Sequence, residues 1–515
     1  MHGMDGCHTS ARVTIKNGEV NAMTTAILAI DQGTTRTKAL IFDGQARCLA
    51  EHASEVPLAY PRPGWVEQDP RALLTSVVEN ARAALASTQA RVVACGLANQ
   101  GETVMIWRRS DGEPLYPAIS WQDRRTDAFC ARLAQSEEGR LIQERTCLPL
   151  DPYFSATKLR WLLDHVPGAR ALAARDDLLA GTTDAWLLWN LTGQHVTDDA
   201  TASRTMLYNP RLRAWDQDVL DALDIPRAIL PTIRPNCSQF GTLRADLCGQ
   251  ALPVTAAIVD QQGALFGQAC FAPGDVKVTY GTGAFILLNT GYTLPISRHG
   301  LVPTVAWTRN DEIFYALDGG IYVAGAAVQW LRDGLGIISR AEESQVLAES
   351  VPDNGGVFFV PALAGLAAPY WDSSARGTLL GLTRGSTRAH IARATLEGVA
   401  FRTRDVLEAM AGDLGTPVRS IKVDGGASAN RFLMQTLADI SGVEVRVSAV
   451  QETTSLGVAF LAGLSSGLWS DQAELANVWR ASATYTPRSG AGSGYAELYP
   501  RWLEAVERAR GWSEN

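Results

Sequence analysis

Apolar positions in this chain gather into short runs broken by glycine turns, and one such pattern occurs twice. Residues 26–43 (AILAIDQGTTRTKALIFD) carry a mostly apolar run into Asp31, turn through Gly33, Thr34 and Thr35, and leave as a second apolar run ending at Asp43. Such runs around a glycine turn predict a β-hairpin. Residues 276–289 (VKVTYGTGAFILLN) repeat it as strand, Gly-Thr-Gly turn and strand. Two hairpins about half a chain apart point to a duplicated domain, with one turn from each half facing a shared cleft. Gly33 lets the backbone approach a ligand. The hydroxyls and turn N–H groups make a concavity suited to phosphate oxygens.

The pattern predicts further elements in order. Residues 49–57 add a third strand. Pro61, Pro63 and Gly64 make a turn. Asp69 caps a helix that starts at Pro70, with Leu73, Leu74, Val77, Val78, Ala81 and Leu85 as its apolar stripe. Residues 91–98 and 103–107 read as strands and Asp111-Gly112 as a turn. Residues 121–125 open a helix reaching about Ser136, and Tyr153 and Lys158 precede a helix carrying Leu159, Leu162 and Leu163. Residues 254–259 form a buried strand that delivers Asp260, Gln261 and Gln262 just before the second hairpin.

In the second half, residues 325–335 read as a helix with Val328 and Leu331 inward, and 357–360 as a buried strand. Residues 390–412 make a long helix with Ile391, Ala394, Val399, Val406, Leu407 and Met410 near one face. Residues 420–424 form a strand, followed by Gly425-Gly426 and a helix from about Asn430 to Ser441. That arrangement aims free N–H groups and a positive dipole end at an anion. Residues 489–494 are expected to form a flexible loop. The repeated order of strands and then helices predicts α/β domains with mixed sheets flanked by helices.

A chain of 515 residues exceeds a single core. The expected division is 23–269 and 270–515, with the polar residues 1–22 as a loose extension lacking a signal-peptide core. A formal net charge of -8 argues against a broad nucleic-acid face, though not against one nucleotide. The eight cysteines form no CxxC pair and no Cys/His cluster at zinc spacing, the pattern of reduced thiols in a cytoplasmic protein. No apolar stretch reaches the ~18 residues of a membrane span.

The P-loop pattern GxxxxGK[ST], a GxGxxG after a strand and HExxH are all absent. Residues 463–467 match GxSxG, but behind a helical pattern rather than a strand. Asp260 ends an apolar strand at the mouth of the expected cleft, where a carboxylate could accept a hydroxyl proton; taken alone it also reads as a helix cap. Glu102, Trp121 and Tyr153 each sit at an element boundary. An acid and two aromatic rings together suit a small polyhydroxy compound, and each singly suits a structural role.

Several segments then resemble one family. They are Asp31-Gln32-Gly33-Thr34-Thr35, Asn99-Gln100-x-Glu102, Trp121-Gln122-x-Arg124-Arg125-Thr126, Asp151-Pro152-Tyr153-Phe154-Ser155, Gly181-Thr182-x-Asp184, Ala202-Ser203-Arg204-Thr205-Met206, Asp260-Gln261-Gln262, Thr279-Tyr280-Gly281-Thr282-Gly283 and Asp424-Gly425-Gly426-Ala427. With YFSATKLRWLLDH at 153–165 and GTLLGLTRGSTRAHIARATLE at 377–397, they resemble the FGGY carbohydrate kinases, the glycerol kinases above all. The resemblance runs from about residue 23 to about 510.

It implies an α/β fold of two ribonuclease-H-like domains around an ATP cleft, as in actin, hexokinase and Hsp70. It implies transfer of the ATP γ-phosphate to a primary hydroxyl of a polyol. By the same resemblance Thr34, Thr35 and Lys38 approach the γ-phosphate, and Asp31 acts through Mg²⁺ and its waters. Gly281 and Thr282 touch the β- and γ-phosphates, while Gly325, Gln329, Gly426 and Asn430 hold the adenosine side. Asp260 is the base, and Glu102, Trp121, Tyr153, Gln261 and Phe285 surround the acceptor. A cytoplasmic homo-oligomer, dimer or tetramer, is expected.

Two positions depart from the family pattern. The family carries Arg where this chain has Gly101, so either another donor replaces that guanidinium or a longer polyol, ketose or sugar acid fills the gap. The segment 245–254, which in many bacterial members binds a sugar bisphosphate, is shorter here and lacks its arginine. Feedback by such a ligand is therefore not expected. A nucleotide-dependent switch on the same fold is the alternative of another class.

Overall fold

The hairpins and the strands that follow them form one continuous sheet. The computed structural model describes residues 24–488 and 494–512. The expected extension at 1–22 and most of the expected loop at 489–494 lie outside the described residues. The strands are β1 (Thr25–Gln32), β2 (Arg36–Asp43), β3 (Cys48–Glu55), β4 (Arg91–Asn99), β5 (Cys237–Thr242), β6 (Pro253–Val259), β7 (Asp275–Tyr280), β8 (Ala284–Gly291), β9 (Val302–Arg309), β10 (Glu312–Ile321), β11 (Ser420–Asp424), β12 (Val445–Ser448) and β13 (Ala481–Tyr485). Their order across the 13-stranded sheet is β13-β12-β11-β7-β8-β10-β9-β5-β6-β4-β1-β2-β3.

Each half repeats one plan. In the first, β2 pairs antiparallel with β1 and β3, while β4 runs parallel to β1 and β6 parallel to β4. In the second, β8 pairs antiparallel with β7 and β10, while β11 runs parallel to β7 and β12 parallel to β11. This is the ribonuclease-H-like order, present twice in an α/β fold of the actin and hexokinase type. The halves meet in the sheet at one register pair, Cys237 with Arg309.

Parallel strands buried on both faces read as near-continuous apolar runs. Accordingly β1 and β4 supply one residue set to each of two cores, Ile27, Ala29, Ala94 and Ala98 to one and Leu28, Ile30, Cys95 and Leu97 to the other. The second half has its own core around Val276, Val278, Ile286, Val399 and Met410.

Two helices cross where the halves join. The Asp260–Gly267 helix follows β6, and the Thr453–Ser466 helix packs on β1, β4 and β6 of the first half. Glycines allow their backbones to touch. A Cβ on Gly457 would lie 1.8 Å from the Gly263 carbonyl oxygen, and one on Gly267 would lie 2.0 Å from that of Thr453.

Four sequence expectations shift. The 121–136 helix begins only at Asp127 and ends at Leu133, because the Asp123 carboxylate accepts from the backbone N–H groups of Val66 (2.6 Å) and Arg125 (2.9 Å). Such side-chain bonds compete with helix formation. Lys158 lies inside the next helix, Ser155–His165, rather than ahead of it. The 325–335 helix is α-helical over Gly325–Gln329 and continues as a π-turn over Trp330–Gly334. In the Pro70–Ala86 helix Ser76 and Asn80 are buried in place of Leu74 and Val78. They bond the Thr37 and Ser54 hydroxyls at 2.7 and 2.6 Å. Residues 463–467 close a helix, so no strand-to-helix elbow presents Ser465. Among the described residues no helix is long and apolar enough to cross a membrane.

Candidate functional site

At the first hairpin, register places Asp31 on β1 directly across from Lys38 on β2. Burial pushes the Asp31 carboxyl up to about 7; Lys38 opposes the shift, and the charges of Asp260 and Glu452 add to it. Lys38 Nζ donates to Glu452 Oε2 at the start of the Thr453–Ser466 helix. The Thr34 hydroxyl accepts from the Trp121 indole N–H at 2.9 Å, and its carbonyl accepts from Gln68 at 2.7 Å. Thr35 is exposed at the turn, where its carbonyl accepts from Val56 N–H at 2.9 Å.

Asp260 is the first residue of its helix. Its Oδ1 accepts from Gln261 N–H at 2.7 Å, and its carbonyl accepts from Thr454 Oγ1 at 3.1 Å. Burial raises its carboxyl above the usual range, opposed by the nearby Lys277 ammonium. Lys277 Nζ in turn donates to Gln261 Oε1 and, at 3.1 Å, to Thr279 Oγ1. Antiparallel register puts Lys277, Thr279, Phe285 and Asp318 on one face of the sheet, so half-buried Phe285 looks the same way as the Lys277 ammonium.

Glu102 sits in the left-handed region (φ +57°), which turns its side chain inward just past β4. Its Oε1 accepts from Arg204 Nε at 2.7 Å, and Arg204 Nη2 pairs with Asp318 Oδ2 at 3.1 Å. Burial pushes the Glu102 carboxyl up to about 7 against the pull of Arg204. The Arg204 guanidinium carbon lies 5.7 Å from the Tyr153 ring, and Tyr153 meets Trp121 edge-on with centroids 5.6 Å apart. Lys158 stands behind both rings. Its buried Nζ donates to the carbonyls of Ser120 (2.8 Å) and Tyr153 (3.2 Å), and burial lowers its pKa to about 7. Glu102, Trp121, Tyr153, Asp260 and Gln261 thus converge, with Arg204, Asp318, Lys277 and Lys158 around them.

Gly101 has one close neighbour. A Cβ there would lie 2.9 Å from Val259 Cγ2, and Val259 is 2% exposed. The space expected to admit a longer acceptor is narrowed at its root by the residue preceding Asp260. A guanidinium from another segment, Arg204, stands against Glu102 on this side of the site.

Beside the second hairpin opens a cavity of about 400 Å³, and Gly281, Thr282, Gly325, Gln329, Gly426 and Asn430 all line it. Backbone contacts shape it. The Gly281 carbonyl accepts from Gly325 N–H at 3.0 Å, and a Cβ on Gly325 would come within 2.5 Å of that oxygen. Gly425 (φ +85°) passes so close to Tyr280 that a Cβ would lie 2.3 Å from its carbonyl oxygen. Asn430 caps the Arg431–Ser441 helix, its Oδ1 accepting from Leu433 N–H at 3.0 Å. Thr34, Thr35 and Lys38 lie outside this lining, at the other hairpin.

Sequence reading missed Arg204, Asp318, Lys277, Lys158 and Glu452 as site residues. Arg204 lies in the family-like segment 202–206, and Lys277 is a lone cation in an apolar strand. Glu452 carried no local signal. Among the described residues no group of three or more His, Cys, Asp or Glu could hold a metal ion.

Comparison with known proteins gives one family. The N-terminal domain model of the FGGY family of carbohydrate kinases matches residues 26–267, and its C-terminal domain model matches 276–466. Glycerol kinase 2 of Thermotoga maritima is 48% identical over 493 residues, 95% of this chain and 99% of that protein. Glycerol kinase of Symbiobacterium thermophilum is 50% identical over 492 residues, with 95% and 99% covered. The crystal structure of Plasmodium falciparum glycerol kinase with ADP superposes with a TM-score of 0.90 at 34% identity, covering 95% of this chain and 98% of that one.

Proposed function

We propose that this chain, which belongs to the FGGY family of carbohydrate kinases, phosphorylates glycerol with ATP, giving glycerol 3-phosphate and ADP. It is a phosphotransferase with an alcohol acceptor. The observation that carries the reading is the convergence of Asp31 from one hairpin and Asp260, the first residue of its helix, close enough for their charges to oppose each other.

In this reading Asp260 accepts the proton of the attacking primary hydroxyl. Burial makes its carboxylate a stronger base, and Lys277 keeps it ionised. Glu102 accepts from the remaining hydroxyls, held by Arg204, while Trp121, Tyr153 and Phe285 cover the C–H faces and Gln261 adds a polar edge. The hydroxyl oxygen bonds to the γ-phosphorus as the bond to the bridging oxygen of ADP breaks. Catalysis of this transfer is mostly alignment and charge neutralisation. Thr34, Thr35, Lys38, Gly281 and Thr282 receive the phosphates from opposite sides. Gly325, Gln329, Gly426 and Asn430 take the adenosine end.

Asp31 fits Mg²⁺ held through water. A single buried carboxylate beside a polyphosphate is the usual protein share of such a site, and a cation there would hold ionised a group now pushed up to about 7. Bound Mg²⁺ would neutralise charge on the phosphates. The reading includes a cytoplasmic homo-oligomer, dimer or tetramer, with a small polyol as partner and no nucleic acid or membrane.

The likeness to glycerol kinases supports glycerol as the acceptor, and Val259 narrows the site beside Gly101. The test is coupled ADP release with glycerol, tetritols, pentitols, ketoses and sugar acids. Glycerol should give the highest kcat/KM. Acceptor-independent ATP hydrolysis, or preference for a pentitol or ketose, would reject the assignment.

A further inference from the structure

Three consecutive residues, Glu452, Thr453 and Thr454, reach three different parts of the cleft. Glu452 accepts from Lys38 of the first hairpin. Thr453 Oγ1 donates to Asp424 Oδ2 at 2.8 Å, at the glycine turn beside the cavity. Thr454 Oγ1 donates to the Asp260 carbonyl at 3.1 Å. All three stand at the start of the Thr453–Ser466 helix, the one seated against Gly263 and Gly267.

We propose that Glu452 is a positioning residue that holds Lys38 in reserve and releases it to the terminal phosphate of a nucleoside triphosphate. The pair's side chains are 22% and 29% exposed, so it is accessible to a competing anion. A triphosphate presents two or more charged oxygens where Glu452 presents one carboxylate. Charge-assisted bonds to phosphate are strong enough to win that exchange. A nucleoside diphosphate, ending one phosphate short of Lys38, leaves the pair intact. Glu452 therefore lowers affinity for the triphosphate but not for the diphosphate, which eases the balance between substrate capture and product release. Its charge also bears on Asp31, beside Lys38.

The inference rests on the proposed placement of the γ-phosphate at Lys38, and two variants separate the claims. Binding of ADP and of a non-hydrolysable ATP analogue to the full chain is measured by calorimetry with excess Mg²⁺. A partly exposed ion pair contributes enough to predict that Glu452→Gln tightens the ATP analogue about three- to five-fold. ADP affinity should stay within about two-fold, and Glu452→Asp should keep the wild-type ratio. Lys38→Met should weaken the analogue relative to ADP. If Lys38→Met does so while Glu452→Gln leaves the ratio unchanged, the reserve role is overturned and the nucleotide placement stands. If neither variant moves the ratio, the placement itself is wrong and the reserve role falls with it.

Discussion

Replacing Gly101 with arginine tests how the acceptor site is walled. The family pattern alone predicts a gain in glycerol affinity, because a bond to a charged donor contributes about 1.5–3 kcal/mol. The structure predicts the opposite. The new Cβ would sit 2.9 Å from Val259 Cγ2, closer than real Cβ contacts come. Val259 cannot swing aside freely, since a β-branched side chain is stiff at χ1, and β6 pairs it with Asn99. Overpacking of this kind costs about 1–3 kcal/mol. The strain passes to the next residue, Asp260, and a displacement near 1 Å at a reacting group lowers turnover about 10²-fold. Gly101→Arg should therefore lose one to two orders of magnitude in kcat without a lower KM for glycerol. Gly101→Arg/Val259→Gly should recover most of the kcat and lower KM about ten-fold relative to the single variant. The assay is steady-state ADP release with varied glycerol at saturating ATP. Full turnover with a lower KM in the single variant would refute the reasoning.

Three further outcomes are expected. Asp260→Asn should lower kcat about 10²–10⁴-fold with ATP affinity by calorimetry unchanged; near-normal turnover would reject the base. Lys158→Met removes the donor that ties Ser120 and Tyr153, so KM for glycerol should rise about ten-fold while nucleotide affinity holds, by parallel titrations. Glu102 is raised from 4.5 to about 7 in the fold. It binds its proton more tightly folded than unfolded, so its stabilising contribution is complete below pH 4.5, is lost as pH rises through about 7, and is flat above. About 2.5 pH units at 1.36 kcal/mol each is ~3 kcal/mol. Denaturant unfolding from pH 5 to 8 should show that slope in the wild type and a shallower one in Glu102→Gln; parallel slopes would disprove the shift.

The two hairpins were legible because Gly33 and the Gly281–Gly283 turn interrupt apolar runs. The Asn430 cap was legible because strand, glycine and cap residue follow in order. The turn at Trp121 was misread as helix because Asp123 takes its decisive bonds from Val66, far back in the chain, which periodicity does not register. Arg204 and Glu452 escaped for a related reason. Each acts through long-range charge partners, Glu102 and Asp318 for Arg204 and Lys38 for Glu452, which local periodicity does not register. The close approach of Val259 to Gly101 was not legible because a glycine in sequence does not reveal what packs against it.

The Thr453–Ser466 helix comes from late in the chain yet lies on the strands of the first half, with Leu456, Val458 and Phe460 in that core. A fragment ending at residue 269 would leave those strands without their lid of apolar side chains, and the remainder would carry an orphaned greasy helix. The polypeptide is thus plaited rather than beaded. Gene truncation at the apparent midpoint should yield two aggregating pieces, whereas co-expression of both offers each the surface it lacks.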